Sequence, residues 1–179
     1  MKGATAAILL TMCALGSVAL AQAPQQAPKP GPEHKWMDDG VGRWIGQGEV
    51  KASPFGPAGK FTYTEDVEWA PGGFFLVMHW GSKNPSGESK GLTVMGYNAE
   101  EKVYTSRSFG GWGETWAFKG TLQGDTLTLT SEGKRGGKLV KGRYINKQLS
   151  PTSYSFKMEN WTEGGGWSTI MEGKATKTK

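Results

Sequence analysis

Cysteine is nearly missing from this chain: the single one, Cys13, falls inside an N-terminal apolar run. The rest of the sequence can therefore form no disulfide, no thiolate metal site and no cysteine nucleophile. Histidine is almost as scarce, with only His34 and His79, so a protein-only zinc site would need both plus carboxylates from distant strands. No metal or other cofactor is expected from these residues. There is no Gly-x-Ser-x-Gly elbow, and no serine has a histidine close by in sequence, so no hydrolase nucleophile is recognisable. Long basic runs are absent too. The formal charge of +5 is mild and its cations are scattered, which fits solvated faces and not a nucleic-acid surface. No repeat with a period of roughly 20 to 50 residues is present, which excludes propellers and solenoids.

What is present begins with one cation, Lys2, an apolar run from Ala4 to Val18, and Ala19-Leu20-Ala21. That order is a signal peptide with a small-x-small cleavage site, so residues 1–21 are expected to be removed and the protein to be periplasmic or secreted. The run is shorter than the roughly 20 residues of a membrane span, and no stop-transfer pattern follows, so the mature chain has no transmembrane segment. Lipid attachment at Cys13 is disfavoured by Met12 before it, where a lipobox has a small residue. Taking 21 residues from 179 leaves 158 with a charge of about +4. One domain of that size buries about 70% of its unfolded surface. Residues 22–32, rich in proline and glutamine, read as an extended tether, and residues 33–179 as the folded domain.

The domain is organised around Gly42-Arg43-Trp44-Ile45-Gly46-Gln47-Gly48, in which Gly42, Trp44, Gly46 and Gly48 fall at every second position. Period two puts them on one face of a strand. Glycine weakens a flat strand, so this face implies a tight bend or a close backbone neighbour, with Trp44 filling the space inside a closing sheet. Before it, Glu33 to Asp39 can make one or two helical turns ended by Gly40, the only helix expected, with a solvated His34. Counting the strand that contains Gly42 to Gly48, ten strand-like runs follow the helix, separated by turn signals such as Pro71-Gly72-Gly73, Gly110-Gly111-Trp112-Gly113 and Gln123-Gly124-Asp125. Short turns leave no room for crossover helices, so the strands form an antiparallel meander. Strand counting alone does not separate one closed barrel from two packed sheets. We take closure: an all-β, ten-stranded antiparallel up-and-down barrel with one short N-terminal helix.

The Gly42-Arg43-Trp44 triplet after a short helix resembles the opening of calycin barrels such as lipocalins and fatty-acid-binding proteins. Extended to Gly46 and Gly48, it is similar to nitrobindins, ten-stranded haem-binding barrels. A group of bacterial exported proteins with a lipocalin-like domain of unknown function shares more: the same start, a Trp69-x-Pro71-Gly72-Gly73-Phe74-Phe75 turn and a Gly96-Tyr97-Asn98 hairpin entry. The resemblance spans residues 33–177 and implies a fold more than an activity. A nitrobindin would ligate haem iron through a histidine near the end of the barrel. The last strand here, Trp167 to Lys177, has none, so haem binding is not carried over.

Candidate site residues come from charges in register with apolar neighbours, because an unpaired buried charge is costly and so informative. Glu65 alternates with Tyr63 and Val67; Arg107 with Val103 and Phe109; Glu114 with Trp116 and Phe118; Arg143 with Leu139 and Ile145. With Phe156 and Met158 on a later strand, Tyr63, Glu65, Arg107, Glu114, Trp116, Arg143, Phe156 and Met158 outline a candidate cavity. An inward arginine left unpaired by Glu65 or Glu114 would favour an amphiphile with an anionic head. Trp112 and Trp167, at glycine-rich turns, are placed to rim an opening. These residues favour a binding protein for a small apolar or amphiphilic molecule. The alternative is an enzyme or haem-type site in the same cavity, using His79 or the interior Glu and Arg residues. The sequence leaves the ligand and the oligomeric state open.

Overall fold

The computed structural model describes residues 28–53, 56–135, 138–162 and 165–178, so the signal-peptide reading of residues 1–21 and the first part of the tether lie outside it. A short helix, α1 (Pro32–Asp38), leads into β1 (Gly42–Val50), β2 (Gly59–Trp69), β3 (Phe75–Asn84), β4 (Gly87–Asn98) and β5 (Val103–Gly110). The chain continues through β6 (Thr115–Gln123), β7 (Thr126–Arg135), β8 (Lys138–Ser150), β9 (Ser153–Thr162) and β10 (Gly166–Lys177). Each strand pairs antiparallel with the next and β10 returns to β1, closing the sheet into a barrel. Closure leaves no free edge, and it decides against two packed sheets. No helix among the described residues is long and apolar enough to cross a membrane.

The glycine face of β1 works through close approach. A Cβ at Gly48 would overlap the Glu172 carbonyl and the Gly173 Cα of β10, and one at Gly46 would overlap the Tyr63 ring. The first lets the closing strand pair tightly; the second lets an aromatic ring lie across the inner wall. Trp44, on the same face, is 4% exposed, sits opposite Lys177 of β10 and packs on Tyr154 with ring centroids 4.9 Å apart.

Helix α1 covers one mouth. Proline at its start needs no N–H partner there, and the Gly31 N–H donates to His34 Nδ1 at 3.0 Å. Three bonds pin the helix and its exit to the barrel: Tyr104 Oη donates to the Glu33 carbonyl at 2.9 Å, Trp69 Nε1 to Asp38 at 3.0 Å, and Trp44 Nε1 to the Gly40 carbonyl at 2.7 Å. His34 is not solvated as expected from its sequence position. It is buried against Phe74 and Tyr97, because the helix lies on the barrel mouth and turns this side chain inward. Met37, Leu76, Tyr104, Leu127 and Leu129 complete a tightly packed core with Trp44.

The β3–β4 hairpin extends past the apolar runs that mark it in the sequence. Pairing continues through Ser82↔Ser89 and Lys83↔Glu88 to Asn84↔Gly87, so polar residues carry the sheet toward the other end.

Candidate functional site

Strand register decides which side chains face inward. Trp44 pairs across to Glu65, and Glu65 to Trp80, so one acid sits between two tryptophans in a single inward row. The same parity puts Tyr63 inward on β2, Tyr144 and Asn146 on β8, and Tyr154, Phe156 and Met158 on β9. Tyr63 and Tyr154 share a hydrogen bond of 2.5 Å between their hydroxyls, and Asn146 Nδ2 lies 3.4 Å from the Tyr144 hydroxyl it donates to. Phe156 stands edge-on to both Phe61 and Tyr63. A second inward chain of polar groups runs from Trp80 Nε1 to Thr93 Oγ1 at 3.2 Å, and from that hydroxyl to Ser108 at 2.7 Å.

Burial dominates the electrostatics here. It pushes the Glu65 carboxyl up to about 7, with the hydrogen-bonded Tyr154 hydroxyl pulling the other way. Burial is also the largest influence raising Tyr63, Tyr144 and Tyr154, and Glu65 adds to all three because a phenolate beside a carboxylate would be repelled. No Lys or Arg forms a salt bridge with Glu65 among the described residues. This acid is enclosed by aromatic rings and hydroxyls without a counter-cation.

The interior is packed at one end and open at the other. Near the helix, Trp44, Leu76 and Tyr104 are buried, whereas Tyr63, Glu65, Tyr144, Tyr154 and Met158 are only half-buried. A side chain that points into a closed barrel and still has accessible surface borders open space inside. Trp116, inward by its pairing with Ser108, is 42% exposed at the end away from the helix. Two solvent-open hollows lie on the outer side of the wall formed by β1 to β5 and the turn after β5, bordered mostly by outward-facing side chains. One of about 640 Å³ is bordered by Ile45, Tyr63, Ser82, Lys90 and Trp112. The other, of about 530 Å³, is bordered by Asp66, His79, Leu92 and Phe109. Tyr63 belongs to both the first hollow and the interior cluster.

Of the sequence-predicted site residues, Tyr63, Glu65, Phe156 and Met158 come together inside the barrel. Trp116 stands at the open end. Glu114 precedes β6, half-buried, with its carboxyl folded across Gly110. Arg107 and Arg143 do not point inward. Arg107 pairs across to Val94 and Ala117 on the outer, exposed face of β5, whose inward set is Tyr104, Ser106 and Ser108. Arg143 is outside as well: its Nε donates to Glu159 at 2.7 Å and its guanidinium lies 4.3 Å from the ring centre of Trp167. Burial works to raise Glu159, but Arg143 and Lys157 together hold it below the ordinary carboxylate range. Trp167 is therefore engaged on the outer wall, while Trp112 is 80% exposed in its turn.

His79 is outside too, between Asp66 and Leu92 in the cross-strand row. With His34 held under the helix, the described inward wall around Glu65 offers no imidazole, so a haem-type or catalytic use of His79 in this cavity does not fit the register. Tyr144, Tyr154, Trp80 and Asn146 join this inward cluster although they are not among the sequence-predicted residues. Tyr154 was legible as the partner of Phe156 and Met158 on one alternating face; Tyr144 was hidden by placing its neighbour Arg143 inside.

Fold and site together define a closed ten-stranded antiparallel barrel with an acid-and-phenol cluster within it. The chain belongs to the family described as "Protein of unknown function (DUF1579)", whose model matches residues 29–177. No curated protein sequence matches it. Among solved structures, Rv2717c from M. tuberculosis is similar, with a TM-score of 0.59 at 13% identity over 83% of this chain and 99% of that one. The S-type phycobiliprotein lyase CPES from Guillardia theta is also similar, with a TM-score of 0.58 at 12% identity over 82% of this chain and 93% of that one. At these identities the likeness is one of fold.

Proposed function

We propose that this protein carries a small amphiphilic molecule inside its barrel, with the polar end at Glu65, Tyr63, Tyr144 and Tyr154 and the apolar body along Phe156, Met158 and Trp116. The observation that carries this reading is the half-burial of the inward Tyr63, Glu65, Tyr144, Tyr154 and Met158, which leaves space beside a hydrogen-bonding cluster. Retention of a desolvated acid without a counter-cation supports it further, since such a group costs stability and strongly perturbed acids cluster at functional sites. A single acid among phenols, without an adjacent imidazole, supports binding over catalysis. The same fold in a phycobiliprotein lyase is compatible with a barrel that handles another molecule, without indicating which. The up-and-down closure and the helix across one mouth support kinship with the calycin barrels. The N-terminal pattern supports export, with cleavage after Ala21.

Native mass spectrometry of protein gently extracted from its own host tests both parts. The expected spectrum is a chain beginning at Gln22 with an added small-molecule mass that is lost on unfolding. Bare chain alone would count against a carrier, and a chain still beginning at Met1 would count against export.

A further inference from the structure

The net charge of the chain is positive, but the wall around the open interior is acidic. Arg43 pairs with Asp66 on the outer face, and Arg107 and Arg143 are also outside. Lys83, Lys119, Lys141, Lys147 and Lys157 form salt bridges with carboxylates on that outer side or at the strand ends. Inward charges among the described side chains are Glu65 in the middle, Glu114 toward the open end, and Lys177. The Lys177 ammonium lies 5.2 Å from the ring centre of Trp44, at the helix-covered end. On the outer wall cations and carboxylates neutralise one another in pairs, whereas the inward carboxylate Glu65 has no salt-bridge partner among the described residues.

The groups facing Glu65 are aromatic or neutral. Trp44 of β1 and Trp80 of β3 flank it in register; Tyr63 is two residues away on β2; Tyr144 and Asn146 approach from β8, and Tyr154 from β9. Lys177 of β10 stands beyond Trp44 and does not form a salt bridge with Glu65. Rings present negative faces to a cation, and a carboxylate supplies the matching charge, an arrangement that favours an ammonium group over a neutral or anionic head. It also repels an anion, which reverses the expectation drawn from Arg107 and Arg143.

Resting on the amphiphile-carrier reading, we infer that the interior site selects an organic cation: an ammonium head beside Glu65, against the ring of Trp80 and the phenol rings of Tyr63 and Tyr154, with an apolar tail toward Met158 and Trp116. Binding then involves the ionised carboxylate, so a cation arriving at a protonated Glu65 displaces its proton, which leaves to solvent.

The test compares octylammonium, octanol and octanoate by isothermal titration of the full mature chain at pH 8 and at pH 5.5. Octylammonium is expected to bind about tenfold tighter than octanol at pH 8, equivalent to about 1.4 kcal/mol. The preference should shrink at pH 5.5, where Glu65 is largely protonated, and octanoate should bind most weakly at pH 8. Glu65→Gln, which preserves size, should abolish the preference for octylammonium, read as the ratio of octylammonium to octanol affinity in the same variant. Its far-ultraviolet circular dichroism is expected to match that of the parent. Equal binding of the ammonium and the alcohol at pH 8, or a preference surviving in Glu65→Gln, overturns the cation inference and leaves the carrier reading standing. Failure of all three compounds to bind overturns both.

Discussion

Trp44→Ala is expected to lower stability by about 3 to 5 kcal/mol, the range for truncating a core aromatic. The indole is almost wholly buried, and three elements meet on it: β1, which carries it, β9 through Tyr154, and the exit from α1 through the Gly40 carbonyl. Its removal would leave a cavity at the packed end of the barrel and strand the Gly40 carbonyl, so the transfer and cavity contributions add. Trp44→Phe would separate these contributions, keeping a ring while deleting the N–H donor, at about 1 kcal/mol for the bond itself. Urea unfolding measures both. A midpoint for Trp44→Ala equal to that of the parent would mean that the first strand does not organise the fold.

Glu65→Gln should act in the opposite direction and only over part of the pH scale. In the unfolded chain this carboxyl releases its proton near its ordinary value of 4.5; in the folded barrel it does so at about 7. Between those values the native state keeps a proton that the unfolded state has lost, so wild-type stability falls as pH rises through this window and levels off above it. The full loss is about 3 kcal/mol, from 1.36 kcal/mol per pKa unit. Glutamine cannot ionise, so the variant should lack that decline and gain on the parent up to pH 8. Glu159 behaves with the other sign, since its lowered value gives stability that is lost on acidification. It is common to both proteins and cancels in their difference. Parallel stability curves for parent and variant from pH 4 to 8 would contradict a buried, uncompensated Glu65.

The barrel itself was legible because period-two runs and turn residues are local signals. Gly42, Trp44, Gly46 and Gly48 fell on one face, and the structure gives Gly46 and Gly48 the steric reasons that spacing implied: a ring over one and a backbone against the other. The orientation of β5 and β8 was not legible, and the cause is physical. Alternation tells which residues share a face, while apolar content tells which face is inside only when the inside is dry. Here the inward face carries Tyr104, Ser106 and Ser108 on β5 and Tyr144 and Asn146 on β8, while Phe109 and Leu139 stand exposed outside. A polar interior inverts the usual contrast, so the rule that correctly placed Glu65 with Tyr63 and Val67 misplaced Arg107 and Arg143. Trp80 was obscured for a related reason: the apolar stretch that contains it has hydrophobic residues on both faces, and only pairing to Glu65 and Gly91 turns it inward.

Tryptophans on both sides of the wall allow the interior-binding claim to be tested in one spectrum. Trp44 and Trp80 flank Glu65 inside, whereas Trp161 and Trp167 lie outside under Lys141 and Arg143. With indole nitrogens labelled, titration of octylammonium at pH 8 followed by nuclear magnetic resonance should shift the Trp80 and Trp44 signals saturably and leave those of Trp161 and Trp167 in place. Saturable shifts at Trp161, Trp167 or Trp112 with Trp44 and Trp80 unmoved would put the binding surface on the outside of the barrel and contradict the account.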